Sequence, residues 1–337
     1  MWNRNKRALA LNMKDAEDRE TCRALCDQAD VVIDNFSVGV LDRWGVGYED
    51  VSKRNPGVIY VQMSGMGDGG PWSKFVTFAP TIHALSGLTH LTGVPGREDI
   101  GIGFSYNDHQ AGLHGAVAML AALMARQRTG RGQRIDVSQF EVGVNFAGPT
   151  LLDLYANDRA ARPMGNRLPY DDVAPHNVYR CAPAEAAAIE EERWIAIACM
   201  TDEHWQALLT LMGNPKWSRD PALQSASGRV AASDTIDAHI AAWTREQDAY
   251  ELMVRAQQAG VPAGVVQDGV DLLERDPQLR GFFEKLTDVH PQLGQTWVDH
   301  LPVRFGDTPC EEYIRTRALG EDNDAVLADW LGARDEP

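Results

Sequence analysis

The chain is short of positive charge, of paired cysteine and of long apolar runs, and each shortage removes a class of protein. Lysine and arginine number 32 against 48 aspartates and glutamates, a formal net charge of −16 at pH 7. Nucleic acid and anionic membrane surfaces both reward a basic face, so neither is expected as a partner. An anionic ligand must then be held by a local basic cluster against the field of the whole chain. The five cysteines are odd in number and lack framework spacing, which points to a reducing compartment rather than a disulfide scaffold. The longest nearly apolar stretch, Ala111 to Ala125, is interrupted by His114 and falls short of the ~20 residues that a membrane span needs. The opening MWNRNKRALALNMKD has no apolar core and no small-residue cleavage site, so no signal peptide is read and a cytoplasmic location is expected.

Several motifs are missing too. There is no internal repeat, no Walker A loop, no GxSxG and no HExxH, which removes the P-loop, nucleophile-elbow and zincin readings. What is there is a globular chain. Its 337 residues are 44% hydrophobic and 24% charged, close to the soluble average and far from disorder. A chain of this length buries roughly 75% of its unfolded surface and suits one large domain or two unequal ones.

The front half alternates strand and helix signals. The β-branched runs VVI at 31–33 and GVIYVQM at 57–63 read as buried strands. Asp15 to Ala29 is amphipathic, and 37–54 holds a short helix. That alternation predicts a parallel sheet with helices on both faces. A long helix is read over Gln110 to Arg128, with Asp108 at its N-cap and Gly130 past its end. Gly112, Gly115, Ala118 and Ala122 form a small-residue stripe on it, which lets another backbone or a ligand approach. A strand at Arg134 to Ser138 and a helix from Gln139 to about Ala156 follow. The loop-rich stretch 157–175 marks a boundary. Beyond it come strands at Trp194 to Cys199 and Ala263 to Val266, a helix at Asp202 to Met212, and long helices over 231–259. The expected division is 1–175 as a large domain, 176–289 as a smaller α/β domain, and 290–337 returning to the first. AEAAAIEEE at 184–192 reads as a solvated insertion.

Three segments carry candidate chemistry. Asn3, Arg4, Asn5, Lys6 and Arg7, with NFSVGVLDR at 35–43, supply donors able to hold phosphates by charge-assisted hydrogen bonds. Clusters of this kind are more commonly plain surface charge. SGMGDGGPW at 64–72 follows a strand, and its glycines allow backbone N–H groups to approach an anion or a reacting carbonyl. A simple turn explains it equally well. In YNDHQAGLHG at 106–115, Asp108 at a helix start is favoured as a carboxylate by the helix dipole. It is either a cap or a nucleophile, and caps are far commoner. His109 and His114 lie off the spacing of a helical zinc pair, and Cys22 with Cys26 has no second ligand pair, so no metal site is read. The two cysteines are expected to act as small apolar residues.

Taken together, these residues become recognisable. The run from Ala29 to Trp72 (ADVVIDNFSVGVLDRWGVGYEDVSKRNPGVIYVQMSGMGDGGPW) resembles the family III CoA-transferases, the CaiB/BaiF family. ALSGLTHLTG at 84–93, Asp108 with AGLHGAVAMLAALMARQRTGRGQRIDVS, AQQAGVPAGVV at 256–266 and DPQL at 276–279 continue the likeness in order over nearly the whole chain. The resemblance implies a Rossmann-like parallel sheet in the large domain, a smaller α/β domain and an interlocked homodimer. It implies a transferase with Asp108 as nucleophile, passing CoA from an acyl-CoA to a small carboxylic acid through an aspartyl-CoA thioester. CoA is a substrate in that scheme, and no permanently bound cofactor is implied. The implied CoA contacts map to Asn3, Asn5, Lys6, Arg7, Asn35, Phe36, Ser37 and Arg43. The flanking glycines Gly65, Gly67, Gly69 and Gly70 would stabilise oxyanions.

Two departures from the family pattern shape the expectations. The family normally opens with a strand, an AGP-containing loop and a second strand before the point where this chain begins. The expectation is an N-terminally truncated chain, or one completed by a related chain, that binds CoA poorly alone. A non-catalytic partner subunit is then the alternative to an active transferase. Second, Phe78 and Ala79 stand where the family carries a (Y/H)D pair. Racemases of 2-methylacyl-CoA in this family place histidine at the position of Phe78, and phenylalanine carries no proton, so transferase is favoured over racemase. PHNVYRCA at 175–182 with RWIAIAC resembles the branch acting on aromatic or dicarboxylic acids such as benzylsuccinate.

Overall fold

The computed structural model describes residues 2–183, 192–287, 294–309 and 313–332. The stretch 184–191, most of the expected solvated insertion, lies outside them. The chain divides into two compact units: one of 1–93, 97–162 and 279–337, the other of 94–96 and 163–278.

The first unit opens with α1 (Ala16–Gln28), capped by Asp15, whose carboxylate accepts the Glu17 N–H. There follow β1 (Val31–Asp34), α2 (Val40–Arg43), α3 (Tyr48–Arg54), β2 (Ile59–Gln62), α4 (Ala79–Leu85), α5 (Leu88–Leu91), α6 (Tyr106–Thr129), β3 (Gln133–Asp136), α7 (Gln139–Phe146) and α8 (Gly148–Asn157). The three strands form one parallel sheet in the order β1-β2-β3, with Val31 opposite Ile59 and Ile59 opposite Gln133. Central β2 is buried on both faces, as parallel sheets are. Alternation sends Val58 and Tyr60 one way, onto Leu41, Val46 and Val51 with Cys22 and Cys26 packed alongside. Ile59 and Val61 face the other way, onto Ala122, Met119 and Leu123 of α6. The Tyr60 hydroxyl donates to Val46 O at 2.7 Å, which satisfies the one polar atom of that core residue.

α6 runs back along the sheet. Its C-terminal Arg126 donates to Gly57 O at 3.0 Å and pairs with Asp30 at 2.8 Å, both at the start of the strands. The N-terminus of α6 therefore lies toward the carboxyl ends of the strands. Of the small-residue stripe, Gly115 makes the close approach: a Cβ there would sit 2.7 Å from Met63 Sδ. Gly112 has nothing within 4 Å, and Ala111 takes its place on the buried face.

Two helical stretches are divided more finely than the sequence pattern suggests. The stretch 37–54 splits into α2 and α3, and the one from Gln139 breaks at Ala147, where Gly148 and Pro149 start α8. Proline at a first-turn position loses no helical hydrogen bond, so it favours a new start over continuation.

The second unit holds β4 (His176–Arg180), β5 (Trp194–Ala198), α9 (Asp202–Leu211), α10 (Ala226–Ala231), α11 (Ser233–Thr244), α12 (Ala249–Gln258) and β6 (Ala263–Val265). Its sheet is antiparallel, β4-β5-β6, and packs Ile195 and Ile197 against Trp205, Leu208, Ile236, Ile240 and Leu252. The chain then adds β7 (Phe283–Thr287), β8 (Gln295–Asp299) and α13 (Asn323–Leu331) to the first unit. β7 and β8 pair antiparallel with Phe283 opposite Asp299. The segment before α1 is tied to this closing stretch, for Ala8 N donates to Asp322 and Ala10 N to Asn323. Among the described residues, no helix is long and apolar enough to cross a membrane.

Candidate active site

The first turn of α6 is where the structure corrects the sequence reading. The helix starts at Tyr106, four residues before the expected Gln110, and its N-cap is Ser105 rather than Asp108. Asp108 is thus the third helical residue. It stays within the turn whose free N–H groups and dipole favour negative charge. The cause of the earlier start is Asn107, which is completely buried. Its backbone N–H donates to His83 Nε2 at 3.3 Å, and its Nδ2 donates to Gln139 O at 3.1 Å. Those contacts come from α4 and α7, far away in sequence. Gly143 of α7 is required there, because a Cβ would lie 2.3 Å from Asn107 Nδ2 and 2.6 Å from Ser86 Oγ.

His83 is itself buried, and burial pushes its pKa below the usual histidine value while the nearby Asp108 charge pulls it back up. The ring is held neutral, as its role as acceptor for an N–H requires. His109 and His114 each place Nδ1 on a carbonyl one turn back, Ser105 O at 2.7 Å and Gln110 O at 2.8 Å. The His109 ring lies between Trp2, centroids 4.7 Å apart, and Phe104, at 4.5 Å.

The three strands deliver the other walls. After β1, Asp34 Oδ1 accepts the Phe36 N–H at 3.0 Å and shapes the turn into Asn35, Phe36 and Ser37. Burial raises the Asp34 carboxyl above its ordinary range. After β2, Gln139 N donates to Ser64 O at 3.1 Å, Phe140 N to Gly65 O at 2.9 Å and Gln139 Nε2 to Met63 O at 3.2 Å. The strand end is thereby locked to the start of α7. These elements and the loop 73–78 enclose a cavity of about 620 Å³, within the range of small-molecule sites and at the strand ends where open α/β sheets bind ligands. Asp108 lines it, and its Oδ2 is buried with no hydrogen-bond partner among the described residues.

Asn35, Phe36, Ser37 and Arg43 all line this cavity, together with Ser64, Gly65, Lys74, Phe75, Phe78 and Gln139. Of the other glycines in the loop, Gly67 adopts φ +74° in a turn where Asp68 N donates to Asp136, and Gly69 and Gly70 are exposed at the tip. Asn3, Asn5, Lys6 and Arg7 are not among the lining residues. Lys6 Nζ donates to Asn3 Oδ1 at 3.1 Å, Asn5 exchanges hydrogen bonds with Ile314, and Arg7 is ion-paired with Asp329. Sequence reasoning passed over His83 and Lys74, and took in Ser64, Asn107 and Gln139 only as members of a loop or helix, with no role of their own. The one available signal was polar residues inside apolar runs, as in IHAL at 82–85.

The model of CoA-transferase family III matches residues 1–323. The chain belongs to that family. It is a CoA-transferase, of a family whose substrate is acyl-CoA. The succinyl-CoA–D-citramalate CoA-transferase of Chloroflexus aurantiacus is 30% identical, over 99% of this chain and 80% of its own. The β subunit of succinyl-CoA–L-malate CoA-transferase from the same organism is 28% identical, again over 99% of this chain and 80% of its own. A crystal structure of a CaiB/BaiF family protein from Brucella suis superposes with a TM-score of 0.84 at 30% identity, covering 97% of this chain and 82% of that one. The mixed α/β fold with its parallel sheet is thus the family's own.

Proposed function

We propose that this CoA-transferase moves CoA from an acyl-CoA donor to a small carboxylic acid through an aspartyl-CoA thioester on Asp108. The observation that carries the reading is the Asp108 carboxylate: in the first turn of α6, on the cavity wall, with one oxygen buried and unpartnered. A carboxylate so placed is available as a nucleophile. Its oxygen attacks the donor thioester carbon, and the CoA thiolate leaves with the C–S electron pair, giving a mixed anhydride. The thiolate then attacks the Asp108 carbonyl carbon, forming the aspartyl-CoA thioester and releasing the donor acid. The acceptor carboxylate repeats the two steps in reverse.

Asn35, Phe36, Ser37 and Arg43 are the proposed CoA contacts on the cavity wall. Asn3, Asn5, Lys6 and Arg7 stay in the proposed set on family resemblance, and Trp2 packed on His109 places their segment beside α6. Gly65 is the loop glycine that lines the cavity; Gly67, Gly69 and Gly70 are read as shaping the loop. The acceptor is proposed to be a dicarboxylic acid. Citramalate and malate, the acids named for the two relatives, are both of that class. Lys74 lines the cavity with no carboxylate partner among the described residues, which suits a second carboxylate. Phe78, also on the wall, leaves a racemase without its proton carrier.

A homodimer is proposed as the working form. Leu113, Val117, Leu120 and Met124 form an apolar stripe on α6, each more than half exposed, and Leu152 and Tyr155 of α8 are exposed as well. Apolar faces of that extent mark interaction surfaces. A related chain in place of the second copy is the alternative that the subunit-named relative supports.

The test is a pair of variants. Asp108→Ala and Asp108→Asn should each lower transfer by about 10⁴-fold or more, the scale on which removing a nucleophile acts. The Asn variant keeps the shape and forms no anhydride. Loss of the carboxylate from the helix start costs only ~0.3–1 kcal/mol, so both variants should stay folded by circular dichroism. A wild-type rate in either removes Asp108 from the chemistry.

A further inference from the structure

We propose that Ser64 is a further catalytic residue: its hydroxyl donates a hydrogen bond to the oxyanion formed when Asp108 attacks the acyl-CoA carbonyl. The inference rests on the reading of Asp108 as nucleophile.

Ser64 is 6% exposed, and its Oγ is buried without a hydrogen-bond partner among the described residues. Buried hydroxyls are ordinarily paired, because an unpaired one is a cost to the fold. This one lines the cavity that Asp108 lines, and Asp108 Oδ2 is also buried and unpaired. The residue with a hydroxyl lacking an acceptor and the residue with a carboxylate oxygen lacking a donor thus line one cavity.

The backbone places the two with little freedom. A single residue, Gln139, links them: its N–H donates to Ser64 O at 3.1 Å, and its C=O accepts Asn107 Nδ2 at 3.1 Å, the neighbour of Asp108. Gln139 Nε2 also holds Met63 O at 3.2 Å, on the other side of Ser64. Such a position needs no reorganisation when charge develops, which is what makes oxyanion donors effective. Gly65 lets the loop 73–78 close onto this strand end, because Thr77 Oγ1 would lie 1.9 Å from a Cβ at that position.

In the step itself, an Asp108 carboxylate oxygen forms a C–O bond to the thioester carbon, and the carbonyl π pair moves onto oxygen. Ser64 O–H donates to that oxygen without losing its proton. The π bond re-forms as the C–S bond breaks, and the thiolate leaves with the pair. The same hydroxyl serves the tetrahedral species of the acceptor half.

The test compares Ser64→Ala with wild type and with Asp108→Ala, using acetyl-CoA and succinyl-CoA as donor probes. Single-turnover formation of the aspartyl-CoA thioester should slow by ~10²–10³ in Ser64→Ala, the measured worth of one oxyanion donor. The CoA dissociation constant should stay within about twofold, and the melting temperature should hold or rise, since an unpaired buried hydroxyl is removed. A wild-type turnover rate in Ser64→Ala while Asp108→Ala is dead overturns the role of Ser64 and leaves the nucleophile standing. A rate loss matched by a fall in melting temperature or in CoA affinity shows a structural serine and overturns it equally. An active Asp108→Ala removes the reading on which the proposal rests, whatever Ser64→Ala does.

Discussion

His83 shows how one side chain fixes another. Buried in α4, it accepts the backbone N–H of Asn107 and so holds the residue next to Asp108. Only the neutral ring can do this. Its folded-state pKa lies below the ordinary 6.5 because burial penalises the cation, against the pull of Asp108. The unfolded chain therefore binds a proton first as the pH falls. The stability that His83 contributes is complete above about pH 6.5 and declines as the pH drops toward the folded-state value. Urea midpoints measured from pH 7.5 down to 5.5 should fall for wild type and stay flatter for His83→Gln. His83→Ala leaves the Asn107 N–H unpaired, and a loss of about 1–3 kcal/mol is expected. Glu321 behaves in the same sense at lower pH. The Arg315 hydrogen bond holds its carboxyl down at about 2, so its contribution is lost only in acid.

The packing of α6 and α7 makes the element-scale prediction. Gly143→Ala would drive a methyl group into Asn107 Nδ2 and Ser86 Oγ, and overpacking of that kind costs about 1–3 kcal/mol. Activity should fall with stability, because Asn107 anchors the turn that carries Asp108. Gly112→Ala is the matched control: nothing lies within 4 Å, and alanine is ~1 kcal/mol better than glycine inside a helix. Denaturant midpoints of the two variants should move in opposite directions. The same elements show where sequence patterns stop. β1 and β2 were legible within a residue or two because VVI and VIYV are apolar and β-branched. The start of α6 was not, since Asp108 looks like a cap until His83 and Gln139 reach across to bury Asn107. The β7–β8 pair was missed because FEKLT and QTWVD mix charge with apolar residues and have no diagnostic turn dipeptide. The break before Pro149 was in the text, and helical periodicity on both sides obscured it.

At the scale of the whole molecule, the chain carries −16 and works on an anionic substrate. Attraction must then come from the cavity itself, where Arg43 and Lys74 are the cations on the wall. The α6 stripe sets the expectation for assembly. Val117→Arg together with Leu120→Arg should shift the mass in sedimentation velocity from dimer to monomer; an unchanged dimer would place the interface elsewhere. Asp108 as the covalent carrier of CoA is the claim on which the rest depends, and it can be observed directly. The enzyme is mixed with succinyl-CoA and no acceptor, quenched in acid, digested and analysed by peptide mass spectrometry, with a borohydride-treated sample in parallel. The account predicts CoA mass on the peptide containing Asp108, conversion of that aspartate to its alcohol by borohydride, and neither in Asp108→Asn. CoA or acyl mass on a different residue, or none at all on enzyme that turns over fully once acceptor is added, would contradict it.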